Sequence, residues 1–550
     1  MPTLQEKESP VSVGGILVAF ILLLTATLDT WGSFGWTGLI LIAAALAVCL
    51  WLHLGRDPFR ALSAESLLLG LLIGSIALCC CLLAGQYQGT EVYNISSPSG
   101  AMLAKWRLTA PGMAIRILSG VALLIMLAWL AGLSPRLRRA AFVALVAIAV
   151  AARVLMIFSS PSPKIDVFVS QTMGAKGLLG RYVTVTAVAP QSLAEQRGLH
   201  VGDVLLSCGD VEVSSAEELL TAAQSIPPGE PATLMVLREG RTAKLTVPAV
   251  APGKSLEAAL GITTARSYAS VYSMRFPSPY KDQPFFEHYG YPPLTVYANA
   301  LSFMLFCDVR GLWVAADIFG ALCIFLLARR VTPGERGTRI GMLAALLWLF
   351  LPRSLFVIEQ SWTEPLCVAL LGGLALARGT WAKGAALGLW LASKQYVVVA
   401  APLAVKLRRF GWREWLIACV AGALTLVPFL IWDWQGTYRD VLGFFLTSGT
   451  RPDALSLVGM LKRFDVELPW QVVAPLWLAG VVFFTWRMKR TAAGWLFSMA
   501  SLYLYFFMFG KQAFMNYFYL ILFILLLAVA ATPGEESDKS VGSDGSDKSG

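Results

Sequence analysis

The residues best placed to do chemistry are charged and amide side chains set against long apolar runs. Lys394-Gln395 and Lys511-Gln512 are each a lysine followed by a glutamine, Asp166 stands just beyond an apolar stretch, and Arg153 lies inside one. An arginine inside an apolar span is costly in lipid unless it faces a polar cavity or snorkels to the interface. Two lysines brought to one surface can clamp a phosphate as compact point charges. A carboxylate beside them can take the proton of an attacking hydroxyl. Plainer roles stay open: interfacial anchoring for the lysines, helix capping for Asp166, snorkelling for Arg153. Glu364 can equally begin a helix, and Asp308 with Arg310 reads as a local ion pair.

The elements that must position these residues are membrane spans. The 550 residues are 57% hydrophobic and 14% charged, outside the balance of soluble domains. Apolar runs of about 18–22 residues recur, each long enough to cross a hydrocarbon core of about 30 Å as a helix. Spans are expected near 11–28, 36–54, 65–85, 113–132, 138–158, 309–328, 339–357, 364–380, 413–432, 469–486, 492–509 and 513–531. Trp31, Trp36 and Trp51 suit interfaces around the first two.

Basic residues set the orientation. Six groups fall on one side if both termini are cytoplasmic: Arg56 and Arg60; Arg136, Arg138 and Arg139; Arg329, Arg330, Arg336 and Arg339; Arg378 and Lys383; Lys406, Arg408, Arg409 and Arg413; Arg487, Lys489 and Arg490. The net charge of +10 is accounted for by these loops, so no nucleic-acid partner is expected. Segment 384–405 has basic loops on both sides. It is either two short helices meeting near Lys394-Gln395, as membrane-depth breaks lining a cavity allow, or one ordinary span with a misplaced loop. The run 11–28 reads as a retained signal anchor, and the polar stretch from Thr532 as a disordered tail. Nine cysteines without CxxC, several in apolar runs, and three histidines without HExxH predict no metal site and no cofactor.

The longest outward loop, about 159–292, contains a soluble-looking stretch. Tyr182–Val188 alternates as a strand, followed by Gly198-Leu199-x-x-Gly202-Asp203 and a core strand; Gly209-Asp210 suits a hairpin turn. A helix is expected over Ser215–Gln224, then strands 232–238 and 242–248 joined at Glu239-Gly240. This stretch resembles the PDZ domains of bacterial periplasmic serine proteases. Such domains bind a peptide C-terminus by strand addition. Gly177, Leu178, Leu179 and Gly180 stand where a carboxylate-binding loop would be, or else belong to the surrounding membrane protein's own loop. The insert could also be purely structural.

With the insert set aside, the loop begins Pro161-Ser-Pro-Lys164-Ile165-Asp166-Val167-Phe168 and resumes as Phe276-Pro277-Ser-Pro279-Tyr280, Phe286-Glu287-His288-Tyr289-Gly290-Tyr291-Pro292-Pro293-Leu294. Later come Glu359-Gln-Ser-Trp-Thr-Glu364-Pro365, Ser393-Lys394-Gln395 and Gly510-Lys511-Gln512-Ala-Phe-Met-Asn516-Tyr517. In this order the motifs resemble the GT-C superfamily of polytopic glycosyltransferases, particularly bacterial members that use polyprenyl-phosphate sugars. The resemblance covers roughly 138–531 outside the insert. It implies a lipid-linked sugar donor, inverting transfer on the non-cytoplasmic face, and Asp166 as general base. Arg153, Glu287, His288, Tyr291, Glu364, Lys394, Gln395, Lys511 and Gln512 become donor or acceptor contacts. In that superfamily the acidic loop usually follows the first span, whereas five spans precede it here.

The expected architecture is a mainly α, polytopic transmembrane helical bundle of about 13–14 membrane segments in the cell membrane, with an inserted small β-rich PDZ-like domain on the outer side. Its divisions are N-terminal spans over 1–137, the start of the core over 138–176, the insert over 177–250, the rest of the core over 251–531, and a tail over 532–550. Competing readings are a transporter or lipid flippase, and a PDZ-bearing receptor or scaffold without catalysis.

Overall fold

The computed structural model describes residues 12–29, 36–83, 110–130, 132–159, 167–173, 181–188, 196–200, 203–213, 216–227, 230–238, 241–247, 262–264, 290–306, 310–359, 362–407, 409–443, 447, 449–451 and 454–533. Helices α1 (Val13–Asp29), α2 (Trp36–His53), α3 (Ala64–Leu83), α4 (Ala110–Leu130) and α5 (Pro135–Ser159) come first. A β-rich unit follows: β1 (Val167–Met173), β2 (Arg181–Val188), β3 (Val204–Cys208), β4 (Val211–Glu212), α6 (Ala216–Ser225), β5 (Ala232–Arg238), β6 (Arg241–Val247) and β7 (Ile262–Thr264). The chain returns to helices as α7 (Pro293–Phe306), α8 (Arg310–Val331), α9 (Glu335–Leu349), α10 (Pro352–Glu359), α11 (Glu364–Leu376) and α12 (Thr380–Leu391). A 3-10 helix (Gln395–Ala400) leads into α13 (Ala401–Lys406); then come α14 (Trp412–Tyr438), a π-turn (Arg439–Gly443), α15 (Leu457–Lys462), α16 (Trp470–Arg487), α17 (Ala492–Met508) and α18 (Met515–Ala530).

Helix α18 is apolar around its whole circumference, and a helix of that kind must be surrounded on every side. It is buried from Asn516 to Ala530 and packs against α1, α8, α9, α11 and α17. α14 is the opposite case. Its Leu416, Val420, Leu424 and Ile431 side chains are exposed, an outward apolar face that suits membrane association. Among the described residues, four helical stretches are long and apolar enough to cross a membrane: Trp36–His53, Pro135–Ile157, Arg310–Val331 and Trp412–Gly443. Seven shorter apolar helical stretches accompany them.

The helices lie close to the expected spans, with three differences. Span 339–357 is two helices, because Pro352 cannot continue α9 and starts α10 at its first position. α7 was not expected: Thr295, Asn299 and Ser302 interrupt its apolar pattern, yet all three are buried, and the Ser302 hydroxyl accepts the Leu312 N–H at 2.8 Å. α14 runs beyond 432 through a kink at Asp433, whose carboxylate accepts the Gly436 N–H at 3.0 Å and restarts the helix.

Segment 384–405 is broken. α12 ends at Leu391, Lys394 is extended at φ −154° and ψ 151°, and the 3-10 helix and α13 return to Lys406. α12 is set tightly against α14: a Cβ on Gly388 would come within 2.2 Å of the Ala418 carbonyl oxygen. Both outer ends of this hairpin are fixed at one end of the bundle. Thr380 Oγ1 donates to Glu414 at 3.0 Å, and the Lys406 ammonium donates to the Thr485 and Trp486 carbonyls at 2.7 and 2.6 Å.

Basic residues meet at that same end. Arg409 and Arg330 donate to carbonyls at the end of α11, Arg487 donates to the His53 carbonyl closing α2, Arg339 pairs with Glu65, and Arg139 lies 3.6 Å from Glu335. Cations on terminal carbonyls are favourable because those groups have no intrahelical partner and carry the negative pole of the helix dipole. These contacts, with those of Lys406, draw basic residues from four of the six groups to one end of the helices.

The strands form one sheet in the order β6-β5-β3-β2-β1-β7, with β4 paired to β3. Every pairing is antiparallel except that of β1 with β7. The unit has its own core, in which Val185, Leu205, Leu234 and Val236 from the sheet meet Leu219, Ala222 and Ala223 of α6.

Candidate functional site

The break after α12 brings together residues that are far apart in sequence. α11 starts at Glu364, where a carboxylate suits the positive helix end, and Pro365 follows within the first turn. The Glu364 carboxylate is fully buried, and its Oε1 accepts a hydrogen bond from the buried Lys394 ammonium. The Tyr396 hydroxyl reaches the same oxygen at 3.5 Å. Glu364 Oε2 is buried without a hydrogen-bond partner, as is Thr363 Oγ1 beside it. The Lys394 ammonium is ringed by aromatic faces, 5.1 Å from the Tyr291 centroid, 5.3 Å from Tyr517 and 5.7 Å from Tyr396. Three rings at that range add cation–π attraction that a desolvated ammonium needs.

Gln395 ties this cluster to the rest. Its amide nitrogen donates to the Gly290 carbonyl at 2.9 Å and to the Val441 carbonyl of the π-turn at 3.0 Å. Gly290 ends the loop that carries the sheet unit, so the cluster faces the end of the bundle away from the basic residues. α12 measures about 18 Å at 1.5 Å per residue, which sets the depth of Lys394 below those residues.

Lys511 and Gln512 lie on the stretch leading into α18. That stretch is zipped to the segment before α15: Arg451 N–H donates to the Lys511 carbonyl at 3.2 Å, Leu455 N–H to that of Ala513 at 2.6 Å, and the Ser456 hydroxyl to that of Gly510 at 2.8 Å. The Arg451 guanidinium stands 4.7 Å from the Phe514 ring centroid. Lys511 is half-buried and within electrostatic reach of Glu467. The Lys462 ammonium, by hydrogen bond and by charge, holds the Glu467 carboxyl below its usual range, and Lys511 adds to this.

Arg153 is placed elsewhere, neither snorkelling nor joining Lys394. Its guanidinium is buried, with Nε 2.7 Å from Asp317 Oδ2. It donates also to the Ala149 carbonyl at 3.0 Å, the Leu349 carbonyl at 2.8 Å and the Ser354 hydroxyl at 2.9 Å. The Tyr519 hydroxyl donates to the other oxygen of Asp317. Tyr519, on α18, lies within electrostatic reach of both Arg153 and Glu364.

Tyr291, Glu364, Lys394 and Gln395 are therefore brought together, while Arg153 sits in the adjoining network. Asp166, Glu287, His288, Asp308 and the Gly177–Gly180 stretch lie outside the described residues. Sequence reasoning missed Tyr396 and Tyr517 as parts of the cluster and Asp317 as the partner of Arg153. The signal for Asp317 was present: a lone acid inside α8 is as costly as Arg153 inside α5, and each needs the other. Cys419, one of the cysteines in apolar runs, is exposed on α14.

In the sheet unit, Asp203 organises the turn entering β3. One of its oxygens lies 2.7 Å from Arg238 Nε on β5, and the other accepts the His200 N–H at 2.8 Å. Gly198 takes φ +80°, a conformation that favours glycine, and its carbonyl accepts a hydrogen bond from the same arginine. Strand, Gly-Leu-x-x-Gly-Asp turn, core strand and packed helix thus follow in the expected order. Residues 167–249 match the PDZ domain family. The match begins at Val167, the first residue of β1, which pairs along β2 in the same sheet. Gly177–Gly180 falls in the β1–β2 connection. The strand after it, β2, pairs with β1 along its length and with β3 at Val183 and Thr184. No curated protein matches the chain.

Proposed function

We propose that this chain is a polytopic membrane glycosyltransferase that moves a sugar from a polyprenyl-phosphate donor to an acceptor hydroxyl on the face bearing the PDZ domain. The observation that carries the reading is the convergence of Tyr291, Glu364, Lys394 and Gln395 at a break between half-helices. Those residues come from three of the motifs on which the resemblance to GT-C glycosyltransferases rests. The outward apolar faces of α14 and the basic loops support a multi-pass arrangement with those loops on the cytoplasmic side.

In the proposed reaction the acceptor oxygen attacks the anomeric carbon and passes its proton to the Asp166 carboxylate. The bond from that carbon to the phosphate oxygen breaks, and its electron pair leaves with the lipid phosphate. Lys394 and Lys511 supply positive charge for the departing phosphate, and the free oxygen of Glu364 accepts a sugar hydroxyl. The test is transfer of labelled sugar from a polyprenyl-phosphate donor in membranes containing the protein. Asp166→Asn at wild-type expression should lose at least about a hundredfold in rate, the usual contribution of a positioned base. Wild-type turnover by that variant would sink the mechanism.

A second reading is transport, favoured by the discontinuous helix with a charge buried at its break. Substrate flux in proteoliposomes without chemical change would favour it over transfer.

A further inference from the structure

PDZ domains take up an extended peptide by adding it as a strand to a sheet edge. Beside α6 that edge belongs to β1, because β2 is enclosed between β1 and β3. The edge is already in use. β7 runs parallel along β1 with Val167 opposite Ile262, Phe168 opposite Thr263 and Val169 opposite Thr264, and α6 packs against both strands. The strand in the slot between edge and helix thus comes from this chain itself, just beyond the end of the matched domain at 249.

Two features suit such a strand to exchange. Ile262, Thr263 and Thr264 are all β-branched, the residue class that favours extended pairing. The pairing is only three residues long, so a longer peptide can outcompete it. The tether from β6 keeps the local concentration of β7 high without making its contact strong.

We propose that Ile262–Thr264 is an internal ligand of the PDZ domain, holding the β1 edge until an extended peptide with a free C-terminus displaces it. The inference stands on the PDZ domain alone and survives if sugar transfer proves wrong.

The test uses the full chain in detergent and a library of short fluorescent peptides with a free carboxylate and an apolar last residue. Thr263→Pro removes a strand N–H and the pairing with it. If β7 holds the edge about nine-tenths of the time, this variant binds its best peptide about tenfold more tightly than the wild type. A Phe168→Cys/Thr263→Cys pair locks β7 in place on oxidation, and peptide binding returns on reduction. Failure of that disulfide to form overturns the proposal. So does equal affinity of the locked and reduced forms, or an absence of binding by Thr263→Pro to any peptide.

Discussion

The Lys394 ammonium is held by one oxygen of Glu364, thirty residues earlier, while the other oxygen of that buried carboxylate has no hydrogen-bond partner. Removing one member of a buried pair leaves an uncompensated charge, at a cost of roughly 3–5 kcal/mol, whereas replacing both with apolar groups is often neutral. Lys394→Met and Glu364→Leu should each lower the thermal stability of the detergent-solubilised protein by about that amount. The double variant should recover most of the loss. Additive effects in that cycle would mean that the two do not act as a pair. Under the proposed sugar transfer, the recovered double variant should still be inactive, because it lacks both the cation and the carboxylate acceptor.

Arg153 calls for the opposite outcome in function. Its guanidinium is bound by Asp317, Ala149, Leu349 and Ser354, so Arg153→Lys keeps the charge but loses the fork of donors. We expect that variant to unfold at lower temperature while the protein that remains folded keeps its KM for the lipid-linked donor. A KM raised about tenfold or more at unchanged stability would place Arg153 in the donor site instead.

Much of the bundle was legible because apolar runs and basic loops are strong signals, and each constrains the other. Arg409 caps the end of α11 and Arg487 the end of α2, contacts at helix ends that the loop positions already suggested. The break at Lys394 was legible for the same reason, since basic loops on both sides leave a chain too short to cross twice. α7 was not, because its buried Thr295, Asn299 and Ser302 look polar in sequence, although Thr295 donates to the Pro292 carbonyl and Ser302 accepts the Leu312 N–H. The cluster was half legible. Motif order pointed to Tyr291, Glu364 and Lys394, but the Arg153–Asp317 pairing is a contact across 164 residues that no local pattern encodes.

Asp203 gives the PDZ domain an acid sensitivity with a defined sign. Burial raises its carboxyl, but the hydrogen bond from Arg238, the His200 N–H and the charge of Arg238 outweigh that and hold it below its ordinary value of 3.8. A carboxylate depressed in the folded state adds stability in full above its unfolded value of about 3.9, and loses it as pH falls through the folded value. Hydrogen exchange of β3 and β5 amides should therefore be steady from neutral pH down to about pH 5, after correction for intrinsic rates, and accelerate below about pH 4. Asp203→Asn should abolish that dependence and leave a uniformly less protected domain.

The proposed multi-pass arrangement predicts which surfaces share a compartment. α5 starts at Pro135–Arg139 and runs 25 residues, or about 37 Å, before the stretch that precedes the PDZ domain, long enough to put the domain on the opposite side in the proposed arrangement. Exposed positions in four basic loops can be tested as Arg56→Cys, Arg136→Cys, Arg336→Cys and Arg490→Cys, with Asp210→Cys reporting on the PDZ domain. In sealed right-side-out vesicles, a membrane-impermeant maleimide should label Asp210→Cys above the parent chain at once. The four basic-loop variants should react only after the membrane is opened, because loops rich in Arg and Lys are retained on the cytoplasmic side. Labelling of even one basic-loop variant in sealed vesicles would break the multi-pass arrangement, since the contacts among Arg139, Glu335, Arg339 and Glu65 cannot form across a membrane.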